Sequence, residues 1–255
     1  MTGPEQVIRA AGPGQTGLLY LDQTGSTNTW AREHLSLLGD LDAVYTTDQT
    51  KGRGRLGRTW ENARGDGLYY TILVRRPLAD PLALPLLASV AAARALKELF
   101  GLDCQIKWPN DLLVEGRKVC GILCELVPEG ILCGIGINLR QSPEFFVRAG
   151  LPYGGSVYGL TGVMPGPDAA QTLALLLADH GFAPLMEEFA IRGFAAIREE
   201  YRAACVNLGR PVEFDGGRGV ARDLDEQGRL LVRTETGETA VFTGEVSVRG
   251  IYGKL

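Results

Sequence analysis

The chain has 255 residues, 45% of them hydrophobic, and a formal net charge of −4. That is enough apolar material for one large domain or a main domain with an appendage, and the acidic balance argues against a broad basic face for nucleic acid or membrane. Two histidines leave little for a histidine-rich metal site or a Ser/His/Asp triad, and the five cysteines lack CxxC spacing, so they read as buried thiols in a reducing cytosol.

The first residues carry no apolar run behind a basic start, which speaks against a signal peptide, and the apolar stretch 81–93 is too short to cross a bilayer. A soluble, cytoplasmic protein is expected. Residues 18–21 read as a short strand. A Ser/Thr/Asn cluster then precedes helical spacing, with Ser26 or Thr27 placed to cap the helix; a helix start also presents free N–H and hydroxyl groups. Residues 43–47 and 67–74 (GLYYTILV) read as the next strands. Between them lies KGRGRLGRTW, which sets Lys51, Arg53, Arg55 and Arg58 among Gly52, Gly54 and Gly57. Glycines allow close backbone approach and arginines match carboxylate and phosphate oxygens, so the loop is suited to an anion. Taken alone it is equally a solvated loop or a basic nucleic-acid segment.

Residues 85–100 carry an apolar helical stripe that should cover one face of a sheet. Residues 104–139 hold three apolar runs split by turn signals, an antiparallel meander. Pro109 ends the first of these strands and leaves Lys107 at its terminus, beside Asn110 and Asp111. Residues 141–166 are rich in Gly and Pro and carry a weak signal. Two helices are expected at 168–179, with Asp168 as cap, and at 184–208. After Leu208, short alternating segments between DGG, EQG and ETG turns predict a small barrel of about five strands. The domain boundary is placed near Asn207, giving 1–206 and 207–255.

Five ordered motifs, STN at Ser26 to Asn28, DQTKGRGRLGRTW at 48–60, KWPNDLL at 107–113, GRKVCGILCEL at 116–126 and GIGIN at 134–138, resemble the biotin protein ligases. The segment from GRPVEF to GEVSVRG resembles that family's small SH3-like barrel. The resemblance implies an α+β fold: a mixed β-sheet flanked by helices, like the catalytic domains of class II aminoacyl-tRNA synthetases, followed by the barrel. It implies ATP-dependent activation of biotin as biotinyl-5'-adenylate and transfer to a lysine of biotin carboxyl carrier protein.

By position in these motifs, Ser26, Thr27 and Gln49 would hydrogen-bond the ureido ring of biotin, with Asn28 on the same wall. Arg53, with the backbone of Gly52 and Gly54, would engage the biotin carboxylate. Arg55 and Arg58 would lie towards the phosphates, Trp60 would stack on adenine, and Asn138 would read its edge. Lys107, Arg53 and Arg55 would carry the catalytic charge, because both reactants are anions. Magnesium is expected with ATP; no motif designates its ligands, and Asp111 is a candidate. The 52–58 loop, with few apolar anchors and clustered charge, is expected to be disordered without ligand and to order over it.

Fewer than 20 residues precede the first predicted strand, too few for the winged helix-turn-helix of the bifunctional relatives, so no DNA binding is expected. Lys51 is a departure where a small residue is expected. A lipoate protein ligase and a non-enzymatic biotin sensor or carrier-binding module are the rival readings. A homodimer and a monomer both stay open.

Overall fold

The computed structural model describes residues 6–9, 16–61, 63–241, 246–248 and 251. An eight-stranded sheet comprises β1 (Gln6–Arg9), β2 (Leu18–Tyr20), β3 (Ala43–Thr46), β4 (Gly67–Val74), β5 (Gln105–Lys107), β6 (Asp111–Val114), β7 (Arg117–Val127) and β8 (Gly130–Asn138), in the order β1-β2-β3-β4-β8-β7-β6-β5. The β2–β3 pair is parallel and the other neighbours are antiparallel, so the sheet is mixed, as expected. The meander has a strand more than its three apolar runs, because the run containing Pro109 is divided into β5 and β6. Strand β1 was not anticipated: QVIR is four residues long and too short to establish a period.

Side-chain alternation gives the sheet two different faces. Leu68, Tyr70, Ile72 and Val74 of β4 enter the large core, as do Ile131, Cys133, Ile135 and Ile137 of β8. Helix α2 (Leu84–Phe100) covers this face with Leu87, Val90, Ala91 and Leu96. On the other face, Leu73, Leu132 and Val127 join Leu21, Trp30 and Leu38 in a smaller cluster beneath α1 (Thr27–Glu33). Beyond that cluster, the same-phase positions are Tyr69 and Thr71 on β4, Gly134, Gly136 and Asn138 on β8, and Gly121, Leu123 and Glu125 on β7. Small and polar residues there leave space where the opposite face is filled.

The segment 141–166 holds two short helices, α3 (Pro143–Arg148) and α4 (Val157–Thr161). Helix α5 (Ala169–Leu176) runs through a π-helical turn, Leu177–Phe182, into α6 (Ala183–Arg192). The helix predicted over 184–208 is broken: Gly193 has φ of 55°, and α7 (Arg198–Ala204) starts afresh after a 3-10 turn. Ser26 and Asp168 stand at N-cap positions, but neither side chain makes a capping hydrogen bond.

A five-stranded antiparallel sheet follows: β9 (Pro211–Phe214), β10 (Gly217–Leu224), β11 (Leu230–Thr234), β12 (Gly237–Val241) and β13 (Ser247–Val248), ordered β12-β11-β10-β9-β13. It docks through Trp108, whose Nε1 donates to Gly228 O at 2.9 Å and whose backbone N–H donates to Asn207 Oδ1 at 2.8 Å. No helix among the described residues is long and apolar enough to cross a membrane. The five cysteines are free thiols. Burial pushes the Cys104 thiol up to about 12 and that of Cys205 to about 11, which keeps both protonated and unreactive at neutral pH.

Candidate active site

A cleft whose space, open solvent included, is about 480 Å³ lies on the second face of the large sheet, under the arginine loop. Its floor is made by absent side chains. Gly121 and Gly136 are a cross-strand pair on β7 and β8, and the Trp60 indole lies directly on them. A Cβ on Gly121 would stand 2.5 Å from Trp60 Cζ3, and one on Gly136 2.9 Å from its Cε2, so any larger residue would displace the ring. The indole Nε1 is buried with no hydrogen-bond partner among the described residues, a donor that a ligand can satisfy.

The wall is a buried polar network at the start of α1. Gln49 Oε1 accepts from Thr27 N–H at 3.0 Å and lies 3.3 Å from Thr27 Oγ1. Thr71 Oγ1 lies 2.8 Å from Thr27 Oγ1 and 2.7 Å from Asn28 Oδ1. Asn28 Nδ2 donates to Glu125 Oε2 at 2.8 Å. Thr71 is fully buried, so its hydroxyl fixes two groups that face the cavity. Thr71→Val keeps the shape and strands those partners; a stability loss of about 1–3 kcal/mol is expected, read as a lower urea midpoint at constant slope. Tyr69 lines the same space, and burial pushes its phenol well above the usual range, so it stays a hydrogen-bond donor.

The loop above is tied down by polar contacts. Gly54 N–H donates to Arg58 O at 2.8 Å and Trp60 N–H to Gly52 O at 3.0 Å, which closes a hairpin-like bend through the 3-10 turn Arg55–Gly57. Arg53 Nη2 lies 2.8 Å from Glu125 Oε1, and Arg55 Nη1 donates to Asn110 Oδ1 at 2.8 Å. Asn110 is itself fixed to β7: its Nδ2 donates to Ile122 O at 2.9 Å and its O accepts from Ile122 N–H at 3.0 Å. The segment expected to have few apolar anchors thus carries at least two polar ones among the described residues, both supplied by residues distant in sequence.

Ser26, Thr27, Asn28, Gln49, Arg53, Gly54, Arg55 and Trp60 come together around the cavity. Gly52, Arg58, Lys107, Asp111 and Asn138 are not among its lining residues. Lys107 closes β5 opposite Asp111, and Asn138 donates to Gly155 O at 2.9 Å. The lysine that does line the cavity is Lys118, which the sequence reading passed over. Its Nζ stands 2.6 Å from Asp111 Oδ1 and 5.4 Å above the Trp60 ring. Strict alternation would put Lys118 on the core face with Cys120 and Ile122. Leu112 opposes Cys120 but Leu113 opposes Lys118, so Val119 is a surplus residue; this bulge turns Lys118 to the side of Gly121. The segment thought uninformative holds it there, since Lys118 N–H donates to Tyr153 O at 2.8 Å and Gly155 N–H to Lys118 O at 2.9 Å.

A hydrogen-bonding wall, a flat aromatic on a glycine floor and three cations around one cavity suit an anionic ligand with polar groups and a flat face. The Biotin/lipoate A/B protein ligase family matches residues 20–142, and the Biotin protein ligase C terminal domain matches residues 208–249. The chain is 35% identical to the biotin–[acetyl-CoA-carboxylase] ligase of Paracoccus denitrificans, over 90% of this chain and 100% of that one. It is 32% identical to the protein of that name in Mycobacterium tuberculosis, over 95% and 92% of the two chains. The biotin protein ligase of Aquifex aeolicus, solved in complex with biotin and ATP, superposes with a TM-score of 0.76 at 29% identity, covering 91% of this chain and 98% of that one. With the architecture, the cavity and relatives of this similarity and coverage in agreement, the chain belongs to the biotin protein ligase family.

Proposed function

We propose that this protein is an ATP-dependent, AMP-forming biotin–[acetyl-CoA-carboxylase] ligase that acts in the cytoplasm. It makes biotinyl-5'-adenylate and transfers the biotinyl group to one lysine of a biotin carboxyl carrier protein. In the first step a biotin carboxylate oxygen attacks the α-phosphorus of ATP, the bond to the β-phosphate breaks, and pyrophosphate leaves. In the second, the neutral carrier amine attacks the acyl carbon, AMP leaves with the bonding pair, and the nitrogen loses a proton.

The observation that carries this reading is the convergence of Arg53, Arg55 and Lys118 on the cavity walled by Thr27, Asn28 and Gln49. Two anions must be brought into contact in the first step, and preorganised positive charge in a partly dry site lowers that barrier. Thr27, Asn28 and Gln49 supply the partners that a buried ureido ring needs, Arg53 takes the carboxylate, and Arg55 and Lys118 face the phosphates. Trp60 offers a stacking surface. Among the described residues no group of three His, Cys, Asp or Glu side chains could hold a metal, and Asp111 is paired with Lys118. Magnesium would arrive on the triphosphate, which needs no protein cage of three ligands, with Asp111 the candidate carboxylate beside it.

Isotope exchange between pyrophosphate and ATP tests the proposal. Exchange that depends on biotin and is not supported by lipoate is expected. Support by lipoate would make the chain a lipoate ligase, and biotin binding without exchange would make it a sensor.

A further inference from the structure

We propose that Glu125 is a positioning residue that couples recognition of the biotin ring to closure of the arginine loop; this rests on the reading of the cavity just given. Glu125 lies on β7, two residues beyond Leu123 of the cavity lining, and its side chain is only 15% exposed. Both carboxylate oxygens are engaged. Oε1 receives Arg53 Nη2 at 2.8 Å and Arg32 Nη2 at 3.3 Å, while Oε2 receives Asn28 Nδ2 at 2.8 Å.

Those contacts close a continuous path of hydrogen bonds: the Thr27 N–H donates to Gln49 Oε1, the Thr27 hydroxyl to Thr71 Oγ1, the Thr71 hydroxyl to Asn28 Oδ1, Asn28 Nδ2 to Glu125 and Arg53 Nη2 to Glu125. Its first members wall the ring end of the cavity, and its last is the loop arginine assigned to the carboxylate end. Glu125 is held in the β7–β8 ladder opposite Leu132, so it is a fixed point, whereas Arg53 belongs to a loop and has a side chain 51% exposed. A guanidinium has five N–H donors, and binding Glu125 through Nη2 leaves others for a ligand carboxylate. Two arginines sharing one carboxylate also leave net positive charge beside the cavity. A ligand that orders Asn28 thereby orders Glu125, and with it the arginine that must meet the ligand's other end.

The test uses Glu125→Gln, which keeps the shape and an acceptor oxygen but removes the charge, with Arg53→Ala and the double variant. In the ligand-free protein, tryptic cleavage after Arg58 is expected to accelerate roughly three- to tenfold in Glu125→Gln, with the thermal midpoint nearly unchanged. Biotin should weaken in binding to both single variants, and the double variant should bind no worse than Arg53→Ala. Glu125→Gln should also blunt the protection that biotin gives the loop. Unchanged loop cleavage, or losses of affinity that add in the double variant, would show Glu125 to be a structural brace and overturn the proposal. Failure of the unaltered protein to catalyse biotin-dependent exchange would instead overturn the reading of the cavity, and the ligand-free cleavage rates would stand apart from it.

Discussion

Lys118→Ala should lower the rate of biotin-dependent pyrophosphate exchange by about 10²- to 10³-fold, the effect of deleting one charge aimed at a developing oxyanion. Biotin binding, which we assign to the α1 wall and Arg53, should change little. The expectation rests on placement. Lys118 lines the cavity, its backbone is clamped from both sides by Tyr153 and Gly155, and its ammonium is held between Asp111 and the face of Trp60. Deleting the lysine removes an ammonium 2.6 Å from the Asp111 carboxylate, which is 8% exposed, so a fold measurement must accompany the kinetics. Lys118→Arg is the companion variant, since a planar fork does not replace a compact ammonium where geometry is tight. Lys107→Ala, outside the lining, is the comparison. If it silences exchange and Lys118→Ala does not, the phosphoryl charge is handled from the end of β5 and our assignment fails.

Arg55→Gly is expected to shorten the lifetime of the bound adenylate about 10- to 100-fold, the range for losing a hydrogen bond from a charged group. Arg55 ties the loop to Asn110, and Asn110 is fixed to β7, so this contact, together with that of Arg53 to Glu125, joins the cover to the sheet. The glycine also frees the backbone of the turn. Retention of labelled biotinyl-adenylate through rapid gel filtration measures it, and indiscriminate biotinylation of bystander amines reports the released anhydride. A lifetime equal to that of the unaltered protein would remove Arg55 from the closure.

Regular elements were readable where a period runs long enough. GLYYTILV became β4 to the residue, and the stripe over 85–100 became α2 with one residue more. The α1 wall and the arginine loop were found because their chemistry sits in contiguous motifs. What lay hidden was long-range. Glu125 and Asn110 are 72 and 55 residues from the arginines they hold, and Thr71 sits inside an apolar strand whose only hint is a hydroxyl opposite in phase to Tyr70 and Ile72. Lys118 was missed for a sharper reason. Its motif was recognised, but a period of two assigns it to the core, and a bulge declares itself only through the partner strand.

That surplus residue has a consequence for how the protein can vary. Between Arg117 and Gly121 the chain is phase-locked: substitution leaves position 118 facing the cavity, whereas loss or gain of one residue would rotate the lysine into the apolar layer and bring a hydrophobic side chain out in its place. The position of the Lys118 ammonium is therefore encoded in the length of this stretch as much as in its letters.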